Sequence, residues 1–153
     1  MRKKKRNKIC LISSSGGHYE QLKMLASLEK ENDVFWVTEK VNYTSNADYY
    51  LYQTGMRDKL FFVKMLLNLL KSIKIWFTEK PDYVITTGAM VVLPMAFLAK
   101  IMGRKLVYIE TYARVRGGTR SGKLMYKFAD LFIIQWEPLK EVYPDAVYGG
   151  SIY

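Results

Sequence analysis

The sequence contains few of the residues that build metal sites, disulfides and nucleophilic catalytic centres. Its 153 residues include one cysteine, Cys10, and one histidine, His18. A single cysteine excludes a disulfide within the chain and every CxxC metal site. We therefore expect no bound metal and no cofactor. Cys10 lies inside an apolar run, and we interpret it as a buried core thiol.

Long uninterrupted apolar runs are also missing. A transmembrane helix needs about 20 mainly apolar residues, whereas the most apolar stretch, residues 60–77, contains Lys64, Lys71 and Lys74. The apolar run after the basic N-terminus is too short for a signal peptide. We expect neither a spanning helix nor a cleaved leader.

Positive charge is concentrated at the start of the chain. The net charge is +10, and six of the basic residues form a tail over residues 1–8: Arg2, Lys3, Lys4, Lys5, Arg6 and Lys8. Such a tail can meet anionic lipid or nucleic acid, or remain a solvated terminus. Nucleic acid is disfavoured, because the 12 tyrosines are scattered and do not alternate with basic residues.

Short apolar runs alternate with longer stretches of helical spacing from residue 9 onward. Strands are predicted at 9–13, 34–38, 83–86, 106–109 and 131–135, with shorter ones at 49–53 and 147–148. Helices are predicted at 18–30, 60–77, 91–102 and 121–128. Continuous apolar strands between helices indicate a parallel sheet covered on both faces. The predicted fold class is α/β, with a single Rossmann-like doubly wound domain over residues 9–153.

Three predicted strands end in small, hydroxyl-bearing or charged residues. These ends read SSSGGH (13–18), TTGA (86–89) and IETYAR (109–114). Ligands of open α/β sheets bind beyond the carboxyl ends of the strands. We therefore expect the three segments to line one crevice.

We predict that this crevice binds phosphate or pyrophosphate. Adjacent glycines permit a sharp turn and close approach of a ligand, and arginine forks match phosphate oxygens. The candidate phosphate-binding residues are Ser14, Ser15, Gly16, Gly17, Thr87, Gly88, Arg114 and Arg116, with Arg120 nearby in sequence. His18 is a candidate base or orienting group. Glu110 could orient an acceptor hydroxyl or form a structural ion pair with Arg114. A tight turn with a surface histidine is the alternative.

Residues 60–77 are interpreted as a basic amphipathic helix. Lys64, Asn68, Lys71 and Ser72 recur at helical spacing and form a narrow polar face, with Lys74 at its edge. Such a helix can lie in the membrane interface, and the predicted membrane contacts are Lys64, Lys71, Lys74, Phe61, Phe62 and Trp76. The alternative is an ordinary helix that covers the sheet.

Three segments, in order, resemble one protein family: SSSGGHYEQL, PDYVITTGAMVVLP and YIETYARVRGGTRSGKLMYKFADLFIIQW. They are similar to the membrane-associated, acceptor-side subunit of two-subunit UDP-sugar glycosyltransferases. Members act in asparagine-linked glycosylation, and similar proteins occur in bacterial capsule and exopolysaccharide biosynthesis. A more distant likeness is to the N-terminal half of MurG, a GT-B glycosyltransferase.

The resemblance implies a hexosyltransferase divided between two chains. This chain would bind a lipid-pyrophosphate-linked sugar acceptor as a peripheral protein at the cytoplasmic face of the membrane. A separate donor-binding glycosyltransferase subunit would hold the UDP-sugar. Gly16 and Gly17 would cradle the acceptor pyrophosphate. Trp136, Ile152 and Tyr153 are candidates for the partner interface, because exposed aromatic residues are common anchors there; core packing is the alternative for them.

Two other functions stay open at this point. The chain could be a non-catalytic scaffold that anchors a catalytic partner, and substitution of His18 or Glu110 would then leave activity intact. It could also be a nucleotide-binding module of another Rossmann class. The second is disfavoured, because the sequence has neither a Walker loop nor the GxGxxG spacing of a dinucleotide site.

Overall fold

The framework of the fold is one parallel sheet. The computed structural model describes residues 5–43 and 46–153. The strands are β1 (Lys8–Ile12), β2 (Asp33–Glu39), β3 (Tyr49–Leu51), β4 (Tyr83–Thr86), β5 (Lys105–Ile109), β6 (Leu131–Ile134) and β7 (Val147–Tyr148). Every predicted strand is present, and each boundary lies within two residues of its prediction. The predicted Rossmann-like α/β class is confirmed.

The order of the strands shows where in the sheet a ligand site is expected. The strands lie in the order β3-β2-β1-β4-β5-β6-β7, and all neighbours are parallel. The chain builds outward from β1 to β3 and then returns to the other side of β1 for β4. The order therefore reverses between β1 and β4, and the crevice beyond their carboxyl ends is where such sheets bind ligands.

Among the described residues, four α-helices cover the sheet: α1 (Gly17–Lys23), α2 (Phe61–Glu79), α3 (Leu93–Ile101) and α4 (Arg120–Met125). The predicted helix over 18–30 is wrong in length, because α1 ends at Lys23 and a separate 3₁₀ turn covers Ala26–Lys30. Hydrogen bonds of three-residue spacing join Leu22, Leu25 and Leu28. This tighter winding lets Leu25 and Leu28 pack on the same face of the sheet.

The core has two parts, one on each face of the sheet. In β1, Cys10 and Ile12 point into the larger core, which α2, α3 and α4 help to cover. Ile9 and Leu11 point the other way, toward α1. Successive side chains of a strand alternate between faces, so a strand buried on both faces reads as an unbroken apolar run. The doubly wound arrangement is confirmed.

The predicted basic tail is only partly within the described residues. Arg2, Lys3 and Lys4 lie outside them, and Lys8 belongs to β1. Arg6 donates hydrogen bonds to the backbone oxygens of Glu29 and Asn32. The described end of the tail therefore lies on the α1 side of the sheet, opposite α2.

Cys10 is fully buried in the middle of β1, as predicted. Burial raises the pKa of its thiol well above the ordinary value, so the group is neutral at pH 7 to 8 and has no thiolate to react. We expect a maleimide to leave the native protein unlabelled and to label it once in denaturant, as read by mass spectrometry. Rapid labelling of the native protein would contradict a central β1.

Candidate functional site

The glycine turn, residues 13–17, is held from both sides. The backbone N–H of Ser14 donates to the carbonyl oxygen of Gly88 at 3.0 Å. The backbone N–H and hydroxyl of Ser15 donate to Oε2 of Glu39 at 3.2 and 3.1 Å. The turn is therefore fixed between the loop that follows β4 and the last residue of β2.

Three successive backbone N–H groups, at the end of this turn and the start of α1, find no acceptor in the described part of the chain. Within residues 5–43 and 46–153, no protein group accepts a hydrogen bond from the N–H of Gly16, Gly17 or His18. A Cβ on Gly16 or Gly17 would meet no atom within 4 Å, so the space in front of them is open. Successive unpaired N–H groups in a turn form an anion-binding concavity. This geometry suits a phosphate group.

His18 is partly buried and is fixed by the loop after β4. Its Nδ1 lies 2.7 Å from the carbonyl oxygen of Thr87, and the Thr87 hydroxyl donates to the carbonyl oxygen of His18 at 2.7 Å. A carbonyl oxygen only accepts, so Nδ1 carries the proton and the neutral ring keeps a lone pair on Nε2. No described protein group bonds to Nε2. That nitrogen is available to take a proton from a bound hydroxyl.

Gly88 lies against the His18 ring. Its φ is 103°, a conformation that favours glycine. A Cβ here would lie 3.0 Å from the Tyr108 hydroxyl and 3.4 Å from Cε1 of His18. The structure thus brings Thr87 and Gly88 to the glycine turn and to His18, as the sequence predicted.

Glu110 is fully buried, and protein groups occupy its carboxylate. It accepts hydrogen bonds from the backbone and hydroxyl of Thr119, from the Tyr143 hydroxyl at 2.7 Å and from the backbone of Thr111. Burial and the bond to Glu110 raise the pKa of Tyr143, which keeps its hydroxyl a donor. The described residues show no ion pair between Glu110 and Arg114. This geometry favours a positioning role over contact with an acceptor.

The loop that Glu110 holds carries two of the predicted arginines, Arg114 and Arg116, and Arg120 begins α4. Arg114, Arg116 and Arg120 are exposed, and in the described part of the chain their side chains have no hydrogen bond or ion pair. Neither Arg114 nor Arg116 donates to the glycine turn. Free guanidinium groups on an anchored loop at this edge of the sheet suit phosphate binding.

Two buried glutamines at this edge were not predicted. Gln21 of α1 accepts hydrogen bonds from the backbone of Tyr112 and from the side chain of Gln135. Gln135 also accepts from the backbone of Ile152 at 2.8 Å. The network joins α1 to the ends of β5 and β6 and to the C-terminal segment. A signal was present, because Gln21 lies three residues after His18 on the same side of the helix.

Glu39 was also missed. It is the last residue of β2, it is 4% exposed, and its Oε1 accepts from the backbone and hydroxyl of Thr54 at 3.0 and 3.3 Å. Glu39 therefore ties the glycine turn to the segment after β3. A cavity of about 370 Å³ lies beside this link. The available signal was a carboxylate at the carboxyl end of a buried strand.

Two of the predicted partner-interface residues, Trp136 and Tyr153, contact Tyr112, and the backbone of Ile152 bonds to Gln135. The Trp136 indole N–H donates to the carbonyl oxygen of Tyr112 at 2.7 Å, and their ring centroids are 4.8 Å apart. The exposed Tyr153 ring meets Tyr112 edge-on at 5.3 Å. Trp136 and Ile152 are only partly buried. An aromatic corner thus lies at the same edge of the sheet as the crevice.

The polar stripe of α2 faces the protein, which corrects the sequence interpretation. Asn68 and Ser72 are fully buried. The Asn68 side chain accepts from the backbone N–H of Tyr52 at 2.8 Å and donates to its carbonyl oxygen at 2.9 Å. The predicted membrane contact of Trp76 is wrong, because this side chain is 3% exposed and packs in the core.

Lys64 and Lys71, also predicted as membrane contacts, are partly buried and bind groups of the protein. Lys64 forms an ion pair with Asp58 at 2.5 Å. Lys71 donates to the carbonyl oxygen of Tyr50 at 3.0 Å and lies over the Tyr52 ring. Burial, with a smaller effect of nearby Lys40, lowers the pKa of Lys71. Both lysines therefore bind the segment that precedes α2, residues 50–58.

The outward side of α2 is apolar. We call this the helical apolar face; its exposed members are Phe62, Val63, Leu66, Leu67, Leu70 and Phe77. Phe97, Ile101 and Met102 are exposed on and just after the neighbouring α3. Phe62 and Lys74 are exposed as predicted, and Phe61 is partly buried. In the part of the chain that is described, none of the helices combines the length and apolarity that crossing a bilayer requires.

Comparison with known families decides the relationship. A sequence model of the family described as "Oligosaccharide biosynthesis protein Alg14 like" matches residues 56–152, more than half of the chain. The chain belongs to this family.

The Alg14-like chain is 34% identical over 122 residues to the UDP-N-acetylglucosamine transferase subunit ALG14 of Rattus norvegicus, covering 71% of the chain and 56% of that protein. It is 42% identical over 79 residues to the Homo sapiens protein of the same name, covering 48% and 37%. The chain spans about half the length of the curated relatives it matches.

Solved structures agree on the fold of the Alg14-like chain. UDP-N-acetylglucosamine 2-epimerase from Rickettsia bellii superposes with a TM-score of 0.75 at 16% identity, covering 97% of this chain and 46% of that one. MurG of Acinetobacter baumannii superposes with a TM-score of 0.70 at 14% identity, covering 86% and 42%. At these identities the likeness concerns the fold alone. The predicted resemblance to the glycosyltransferase family and to the GT-B fold is confirmed.

Proposed function

We propose that this Alg14-like chain is the acceptor-binding subunit of a two-chain glycosyltransferase. The enzyme transfers a sugar from a UDP-sugar to a lipid-pyrophosphate-linked sugar. One observation carries the proposal: the free N–H groups of residues 16–18 lie beside the His18 ring, whose Nε2 is free. Anion binding and proton acceptance are thus available at one place.

The reaction needs both properties. The acceptor hydroxyl attacks the anomeric carbon of the donor sugar, a C–O bond forms, and the bond to the UDP oxygen breaks. The hydroxyl proton goes to Nε2 of His18, which can accept it because Thr87 holds the proton on Nδ1. The unpaired N–H groups hold the acceptor pyrophosphate, and Arg114 and Arg116 add positive charge from the neighbouring loop.

A separate chain supplies the donor site in this proposal. The curated relatives are named transferase subunits, which supports a second chain. The epimerase and MurG structures match this chain over less than half of their own length, which supports a further fold unit opposite the crevice. The aromatic corner, with Trp136 and Tyr153, and the neighbouring Ile152 form the proposed contact, since they lie at the crevice edge.

Equilibrium binding to this chain alone tests the division of roles. We expect calorimetry to detect a soluble sugar pyrophosphate ester, an analogue of the acceptor, and to detect no comparable binding of UDP-N-acetylglucosamine. Tight binding of the UDP-sugar without binding of the ester would identify a donor-side or other nucleotide-binding module and would overturn the proposal.

The helical apolar face gives the proposed membrane contact. Its side chains are strongly exposed, and Phe62 reaches 84%. Lys74 is exposed on the same side of α2, and Lys80 is exposed at its end. Apolar groups accompanied by cations suit an anionic bilayer surface. We propose that the chain binds peripherally through α2 and α3, and not through Lys64, Lys71 or Trp76, at the cytoplasmic leaflet that the family resemblance implies.

Acidic substitution of this face tests the contact. We expect Leu66→Asp combined with Leu70→Asp to lower binding to phosphatidylglycerol vesicles by about tenfold or more, because burial of each leucine is worth about 1.5–3 kcal/mol and tenfold is 1.4 kcal/mol. Val147→Asp with Tyr148→Asp is the matched control, since both residues are exposed on β7. Equal losses in the two doubles would show a charge effect and contradict the contact.

A further inference from the structure

The cavity beside Glu39 has one polar wall and one apolar wall. Its volume of about 370 Å³ lies between the glycine turn and the first turn of α2. The wall is polar near the turn and apolar near the helix; the polar members include Ser14, Ser15 and Thr54, and the apolar ones Met56, Phe61 and Met90. Small-ligand sites span about 300–1,000 Å³, so this cavity fits a segment of a molecule.

Three members of the polar wall, Ser15, Glu39 and Thr54, already bond to one another. Ser15 occupies Oε2 of Glu39, and Thr54 occupies Oε1. A sugar hydroxyl entering the cavity would find these acceptors in use, and a phosphate would meet a carboxylate. A pyrophosphate is therefore better placed outside the cavity, directly after Ser15 in the chain, where the N–H groups of residues 16–18 have no acceptor among the described residues.

The apolar wall continues to the outside of α2. The ring of Phe61 lines the cavity and meets the ring of Phe62 edge-on, with centroids 5.4 Å apart. Phe62 belongs to the helical apolar face. Met56, on the rim, is 61% exposed. An apolar path thus runs from the mouth of the cavity to the proposed membrane contact.

We propose that the cavity binds the isoprenoid units next to the pyrophosphate of the acceptor lipid. This inference rests on the proposed function and adds a binding site to it. A lipid whose pyrophosphate is held at residues 16–18 must leave the polar crevice along an apolar surface, because exposure of its chain to water costs about 0.8 kcal/mol per CH₂. The cavity provides that surface, and the remainder of the chain continues onto the helical apolar face.

Binding of farnesyl diphosphate and of inorganic pyrophosphate to the full chain tests the site. We expect calorimetry to show farnesyl diphosphate binding at least about tenfold more tightly. Met56→Gln and Met90→Gln should each remove most of this difference and leave the affinity for pyrophosphate unchanged. Met24→Gln is the matched control, because Met24 is exposed at the end of α1 and does not line the cavity. Met56 is exposed, so its variant will fold.

The outcomes separate the cavity from the proposed function. Equal affinity of the wild-type chain for the two probes would overturn the lipid site while the pyrophosphate site stands. Loss of the difference in the Leu66→Asp and Leu70→Asp double, with no loss in Met56→Gln and Met90→Gln, would place the lipid on the outer face and also overturn it. Binding of farnesyl diphosphate that depends on Met56 and Met90, without any binding of pyrophosphate, would support the cavity and contradict the proposed anion site.

Discussion

His18→Ala is expected to lower kcat of the reconstituted two-chain enzyme by about 10²–10⁴-fold, the usual contribution of a general base. The reason is the free Nε2, which takes the acceptor proton while Thr87 holds Nδ1–H at 2.7 Å. The variant should keep its affinity for the acceptor, because the free backbone N–H groups remain. Initial rates at saturating donor and acceptor give the result.

His18→Asn separates chemistry from support. The asparagine amide can still donate to the Thr87 carbonyl oxygen, as Nδ1 does, but it offers no group in place of Nε2. We expect it to be as inactive as the alanine variant. Activity near wild type in His18→Asn would show that His18 only holds the turn in place and does not accept the proton. Full activity in both variants would favour the scaffold function.

Glu110→Ala is expected to lower the free energy of unfolding by about 3–5 kcal/mol, because each buried donor left unpaired costs about 1–3 kcal/mol. The substitution strands the Tyr143 hydroxyl and the hydroxyl and backbone N–H of Thr119. It also releases the loop that carries Arg114 and Arg116. Urea denaturation followed by circular dichroism measures the change.

Glu137→Ala is the matched control for this substitution, since Glu137 is exposed just beyond β6. Its unfolding free energy should stay within about 0.5 kcal/mol of wild type. A Glu110→Ala variant with unchanged stability but much lower kcat would contradict the positioning role. That result would restore the contact with an acceptor hydroxyl that the sequence suggested for Glu110.

The sheet could be predicted from sequence because its signal is local. A strand buried on both faces, such as β1, must be an apolar run, and the rules of parallel sheets then bring the strand ends to one edge. The orientation of α2 could not be predicted in this way. Its polar residues suited either water or the protein, and the choice depended on Tyr52, whose backbone groups pair with Asn68.

The same distinction applies to the site. The glycine turn and His18 are contiguous in sequence, and both were predicted. Gln21 and Gln135 meet across 114 residues of chain, and Glu39 reaches Ser15 across 24. Such hydrogen bonds between distant residues follow from the order of the strands in the sheet. A polar residue at the end of a strand therefore does not reveal which residue it will bond to. Glu110 is the opposite case. The sequence identified it as a candidate site residue, but it did not predict that protein groups bury its carboxylate.

Sugar transfer by this chain, by the donor-binding subunit and by the two together tests the central claim most directly. The assay follows transfer from a UDP-sugar to a polyprenyl-pyrophosphate-linked sugar in vesicles. We expect activity only when both chains are present, with loss on His18→Ala. Full activity of the partner alone would contradict an acceptor-binding role for this chain.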